Sequence, residues 1–233
     1  MANVLILGAS RGLGAALVEG LPRKSDCVFG LSRSEPAWHR RKSAITRHWI
    51  EADLCELGAV QNARREIGKA PIDALIHVAG IWDEASFEEM HDDEIAEILD
   101  VDLRAFLAFT RSLAPNLRRA DHAKIIAIGS TNGLDNGDMT AVAYSAAKFG
   151  LRGACQALRQ HFRKDGIAVT CLSPGSLASD VAYGEGVAAA LKKHRSKRMP
   201  VQDIVAMIRC ILDLSPAACV KEITMPALKD EDV

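Results

Sequence analysis

Short apolar runs alternate along this chain with longer stretches in which apolar residues recur at helical spacing. Val4–Leu7, Cys27–Leu31, Ala74–Val78, Lys124–Ile128 and Ile167–Leu172 read as strands, with a weaker one at His48–Ile50 and a last short one at Val220–Met225. Continuous apolar runs of this length are buried on both faces, as in a parallel sheet covered by helices on each side. Gly14–Leu21, Leu57–Ile67, Tyr144–Arg163 and Val201–Leu214 carry the helical period. Glu94–Leu117 carries it most clearly, through Ile95, Ile98, Leu99, Leu103, Phe106, Leu107 and Leu113. Gly166 closes the helix before the sixth strand. Strands and helices therefore alternate, with room for a short helix between the second and third strands. That order predicts an α/β fold: a doubly wound parallel sheet of about seven strands with helices on both faces.

No Gly/Ser/Pro-rich linker divides the 233 residues and no repeat is visible, so residues 1–233 read as a single domain. The segment at about 176–200, after the sixth strand, reads as its substrate loop. Hydrophobic residues at 48% and charged residues at 25% exclude a disordered chain. A formal net charge of −1 gives no field to recruit nucleic acid or anionic lipid. The six cysteines form no C-x-x-C pair and the seven histidines lie at no zinc-ligand spacing. Reduced thiols, no metal and a cytoplasmic setting are expected. No basic n-region opens the chain and no apolar stretch is long enough to span a membrane. The acidic tail Lys229–Val233 is expected to fray.

The candidate chemistry begins directly after the first strand. Gly8-Ala9-Ser10-Arg11-Gly12-Leu13-Gly14 has the spacing G-x-x-x-G-x-G and opens the first helix. Glycines there let the backbone approach a pyrophosphate, and the helix N-terminus offers free N–H groups to it. A plain tight turn would explain the glycines alone; placement between strand and helix favours dinucleotide binding, the Rossmann arrangement. The end of the second strand normally selects the dinucleotide: an acid there binds the ribose of NAD, whereas an arginine suits the 2′-phosphate of NADP. Leu31-Ser32-Arg33-Ser34 has no acid and places an arginine after Ser32. With Arg11 as a second cation, NADP(H) is preferred over NAD(H).

Tyr144-Ser145-Ala146-Ala147-Lys148 puts a phenol and an ammonium four residues apart, on one helix face. A free tyrosine, at a pKa of about 10, is a poor acid or base at neutral pH, and a nearby ammonium stabilises its phenolate. Ser130 ends the fifth strand, where a hydroxyl can steady charge on a carbonyl oxygen, and Thr131 beside it could share the role. A turn-capping serine is the plainer reading.

The glycine spacing, the strand-end Ser130 and the later Tyr144/Lys148 pair together resemble the short-chain dehydrogenase/reductase family, from Val4 to about Ser179. The resemblance implies that Tyr144 exchanges a proton with the substrate oxygen, that Lys148 also holds the nicotinamide ribose, and that Ser130 orients the carbonyl. It places Asp53 and Leu54 at the adenine, Ala79 and Gly80 beside the cofactor, and Pro174-Gly175 at the nicotinamide. Ser176, Leu177 and Ser179 would follow along the cofactor. It also implies a homodimer or homotetramer packed through Glu94–Leu117 and Tyr144–Arg163, acting on a small molecule.

Three departures stand out. The family often reads N-N-A-G where this chain has His77-Val78-Ala79-Gly80, and His77 reads as a core residue. The family's fourth catalytic residue is an asparagine; Asp102 stands at that position. An aspartate keeps the backbone carbonyl that serves the proton relay and adds a charge near Lys148, so Asp102 joins Ser130, Tyr144 and Lys148 as a candidate. The C-terminal segment is also compact. Two rivals remain open. Ser145-x-x-Lys148 has a penicillin-recognising spacing but no K-[ST]-G element follows. An NADP(H)-binding sensor would need the cradle without turnover. The basic run Lys192–Arg198 reads as a solvated face, with an anionic substrate group as the sharper alternative.

Overall fold

The computed structural model describes residues 2–56, 58–83, 86–134 and 141–229. Seven strands form one parallel sheet: β1 Asn3–Leu7, β2 Cys27–Ser32, β3 Thr46–Glu51, β4 Ala74–His77, β5 Lys124–Ile128, β6 Ala168–Pro174 and β7 Glu222–Met225. Their order is β3-β2-β1-β4-β5-β6-β7, so the winding reverses between β1 and β4. Loops at that point part in opposite directions and leave a crevice at the carboxyl ends of the strands. The helices are α1 Gly12–Gly20, α2 Gly58–Ile67, α3 Asp92–Leu99, α4 Ala105–Leu117, α5 Val142–His161, α6 Gly186–Lys193 and α7 Val201–Asp213.

Strand alternation divides the core in two. Leu5, Leu7, Leu75, Ile125 and Val169 face one side, under residues of α2, α4 and α5. Val4, Ile6, Ile76, Ile126 and Leu172 face the other, under α1 and α7. The central strands are buried on both faces, which is why they read as unbroken apolar runs. β3 and β7 lie at the sheet edges and, apart from the buried Ile50, alternate between half-buried and exposed positions, so their sequence signals are weaker.

The expected helix Glu94–Leu117 is interrupted. Asp100–Arg104 forms a π-helical turn between α3 and α4, which keeps the chain direction but adds a residue to the turn. The helix allowed for between β2 and β3 is absent among the described residues. Turns run there instead, and Trp38 plunges from them into the core. The segment expected as a substrate loop contains α6. Residues 230–233 of the acidic tail, and Leu57 at the start of the expected second helix, lie outside the described residues. Among the described residues no helix is long and apolar enough to cross a membrane.

Candidate active site

The glycine turn is fixed to its neighbours through the backbone. Gly8 and Ala9 both donate to Leu31 O, at 3.1 and 2.9 Å, and Ala79 donates to Leu7 O at 2.9 Å. Gly8 sits at φ +94°, and a Cβ there would lie 2.6 Å from the Ala79 Cα and N. A Cβ on Gly14 would lie 1.9 Å from Gly8 O. Only glycine lets strand, turn and helix meet this closely. α1 has no side-chain cap and no acid in its first turn, so its N-terminal amides and dipole face outward without a protein anion. These features fit a dinucleotide pyrophosphate. Ser179 lies over the turn, its Cβ 3.2 Å from where a Gly12 Cβ would be.

Sequence reasoning missed one support of this turn. Trp38 is buried, donates from Nε1 to Ala9 O at 2.7 Å, and packs against the space over Gly30. A lone tryptophan in the polar stretch Ser34–Lys42 was the available signal.

At the end of β2, the Ser32 hydroxyl donates to Ser34 O at 2.8 Å and accepts from Trp49 Nε1 at 3.1 Å. Arg33 projects to the surface and pairs with Glu97 at 3.3 Å. Arg33, Glu51, Ala52, Asp53, Glu56 and Asn62 line a hollow of about 400 Å³ where β2 and β3 end. Asp53 Oδ1 accepts from Cys55 N at 2.9 Å, a turn-capping contact. Leu54 is buried in the core. Arg11 is the exposed residue before α1.

β5 and α5 bring the other candidates together. Ser130 follows β5 and is buried, its Oγ accepting from Asn132 N at 3.2 Å. The turn Thr131–Gly133 presses on α5: a Gly133 Cβ would lie 2.9 Å from the Lys148 carbonyl carbon. Tyr144 and Lys148 share one helix face, with the Lys148 Nζ 5.1 Å from the Tyr144 ring centroid. Lys148 is wholly buried and donates to Ile128 O at 3.1 Å.

The π turn delivers Asp102 to this lysine. Asp102 Oδ1 is 2.9 Å from Lys148 Nζ, an ion pair lying off hydrogen-bond alignment, and Oδ2 accepts from Ile81 N at 2.8 Å. The Asp102 backbone carbonyl, expected to serve a relay, is met by His77 Nε2 at 3.2 Å. Burial pushes the Asp102 carboxyl up from the ordinary carboxylate range, against the pull of Lys148. Burial also opposes the ammonium of Lys148, but Tyr144 and Asp102 outweigh it and hold that group up. The short contact and the Ile81 N–H favour the ionised pair. His77 is a core residue, as expected: burial, helped by Lys148, pushes its imidazole down to about 3.

On the open side, the Trp82 ring stands against Tyr144, and Phe87 is half-exposed nearby in sequence. Tyr183 packs onto α1, where a Gly20 Cβ would come within 2.4 Å of its ring. Pro174 ends β6 opposite Met225, Gly175 donates to Met225 O at 2.9 Å, and Leu177 bridges to Met199. In the basic run, Lys193 and His194 are held by Asp180 at 3.0 and 2.7 Å, while Lys192, Arg195 and Arg198 are exposed.

The short chain dehydrogenase family profile matches residues 2–186. The chain belongs to the short-chain dehydrogenase family. It is an oxidoreductase of a family that binds nicotinamide cofactors. Acetoacetyl-CoA reductase of Paracoccus denitrificans is 31% identical over 188 residues, covering 78% of this chain and 76% of the relative. The 3-oxoacyl-acyl-carrier-protein reductase FabG of Escherichia coli is 27% identical over 184 residues, covering 76% of this chain and 74% of the relative. An alcohol dehydrogenase from the archaeon Thermococcus sibiricus, solved with 5-hydroxy-NADP, superposes with a TM-score of 0.85 at 18% identity. It covers 100% of this chain and 99% of its own, and it shows the shared fold.

Proposed function

We propose that this short-chain dehydrogenase is an NADP(H)-dependent carbonyl reductase for a small to medium, moderately hydrophobic substrate, working within a single domain. The observation that carries the reading is the face shared by Tyr144 and Lys148 on α5, set against the end of β5 where Ser130 stands. Gly8, Ser10, Arg11, Gly12, Leu13 and Gly14 would hold the pyrophosphate. Asp53 and Leu54 would lie toward the adenine, and Ala79, Gly80, Pro174, Gly175 and Leu177 would border the rest of the cofactor.

When bound, the nicotinamide supplies the hydride in reduction or accepts it in oxidation. Ser130 donates a hydrogen bond to the carbonyl oxygen and orients it. Tyr144 gives its phenolic proton to the nascent alkoxide, and Lys148 stabilises the phenolate left behind. Arg11, Arg33 and the absence of an acid at the end of β2 support the preference for NADP(H). An NADPH pool in the cytoplasm would drive the reaction toward reduction. The curated relatives reduce acetoacetyl-CoA and 3-oxoacyl chains, so a 3-oxoacyl thioester is the first substrate class to test. Lys192, Arg195 and Arg198 would meet an anionic group on it. Association into a homodimer or homotetramer would use α4 and α5.

The test is NADPH oxidation with 3-oxoacyl thioesters, aldehydes, ketones and quinones. Turnover on at least one, lost about 100-fold or more in Tyr144→Phe with NADPH binding kept, is the expected result. NADPH binding without turnover on any of them would favour a sensor instead.

A further inference from the structure

We propose that Asp102 compensates the charge of Lys148 and so sets the pH range over which Tyr144 exchanges its proton. This rests on the catalytic reading of Tyr144. Asp102 acts through Lys148 and is a positioning residue.

The site is built for this pair. A lysine has three donors. One reaches Ile128 O at 3.1 Å, and the nitrogen stands 2.9 Å from Asp102 Oδ1 as an ion pair. The carboxylate is held at its other oxygen by Ile81 N–H. Gly80 leaves the space: a Cβ there would lie 3.0 Å from Asp102 Oδ1 and 3.3 Å from Lys148 Nζ. The π turn carries Asp102 inward, and His77 fastens its carbonyl to β4. Both charged side chains are almost wholly screened from water, so the carboxylate acts on the lysine without solvent damping.

The charged and titratable groups around Lys148 come from several elements. Tyr144 shares α5 with it, Asp102 comes from the π turn, Asp83 from the segment after β4, His77 from β4 and Cys171 from β6. His77 stays neutral through the working range because burial holds it down at about 3. Asp83 is buried and acts on Asp102, pushing that carboxyl up. Lys148 is the one cation of this group. With Asp102 ionised, the pair carries no net charge, and the phenolate of Tyr144 faces a dipole in place of a full positive charge. Removing the Asp102 charge returns that full charge to the phenolate. The acid–base limb of turnover then moves to lower pH. In reduction the phenol is the proton donor, so activity fades earlier as pH rises. In oxidation the phenolate is the acceptor, so activity appears at lower pH.

The experiment measures kcat/KM against pH in both directions, with a ketone and its alcohol that the unaltered chain turns over, for Asp102→Asn and Asp102→Ser. Both limbs should move down by about 1 pH unit or more. Limbs that stay in place while the rate falls would overturn the proposal, since a merely structural role lowers rate without moving them. An upward movement would overturn it as well. Should neither variant fold, the carboxyl of Asp102 is titrated by carbon NMR in the unaltered chain. An ionised Asp102 from about neutral pH upward supports compensation, and a protonated one overturns it. An unaltered chain with no turnover on any carbonyl counts against the proposed function, and the NMR titration then decides the compensation separately.

Discussion

The indole of Trp82 stands against the ring of Tyr144, centroids 4.8 Å apart and planes tilted by 59°. Half of Trp82 is nevertheless exposed, 52% by area. An aromatic wall with one face on the proposed proton donor and one face open is suited to covering an apolar substrate. Trp82→Ala should raise KM for an apolar carbonyl about tenfold, on the order of 1.4 kcal/mol, with kcat changed less. Steady-state kinetics with a short and a longer acyl chain checks this. A fall in kcat at constant KM would show that the indole positions Tyr144 instead.

The glycines separate into required and permissive positions. Gly8→Ala forces a Cβ to 2.6 Å from the Ala79 backbone at a φ of +94°, and Gly14→Ala forces one to 1.9 Å from Gly8 O. Each should cost about 2 kcal/mol or more and weaken NADPH binding. Gly153, inside α5, has nothing within 4 Å of its added Cβ. Gly153→Ala should instead stabilise by about 0.5–1 kcal/mol. Urea midpoints of the three variants test the contrast.

In the proposed cofactor site, Arg33 would tie cofactor choice to an exposed contact. Its pairing with Glu97 leaves both side chains largely in solvent, so little stability depends on it. Arg33→Ser should leave the thermal midpoint nearly unchanged. It should weaken NADPH binding about tenfold or more and leave NADH binding close to its original value. Equal losses for both cofactors would refute a 2′-phosphate role.

What was legible in the sequence follows the physics of burial. β1, β4 and β5 are enclosed on both faces, and their unbroken apolar runs gave boundaries within a residue or two. The Gly8–Gly14 turn and the Tyr144/Lys148 face were readable because each is a local spacing. The π turn was not, because Leu99, Leu103, Phe106 and Leu107 fit an unbroken helical period equally well. The burial of Trp38 was not legible because its partner, Ala9, lies 29 residues away. The bond from His77 to the Asp102 carbonyl spans 25 residues and needed the fold to appear.

The burial of His77 makes acid stability a test of that residue. Its imidazole is held at about 3 in the fold, against an ordinary value of 6.5. Below about 6.5 the unfolded chain takes up a proton that the folded chain refuses until about 3, so unfolding gains ground as pH falls. The stability His77 contributes is complete above that upper value and declines toward the lower one, by at most ~1.4 kcal/mol per pH unit. His77→Gln keeps an N–H that can meet the Asp102 carbonyl but has no titrating ring. At neutral pH the variant should be less stable, by about 1–2 kcal/mol, for its altered packing against Phe106. On acidification from about pH 7 to about pH 5 that gap should close by about 2 kcal/mol. Urea unfolding at both pH values measures it, and a gap that stays constant would mean that His77 gains its proton with equal ease in the folded chain.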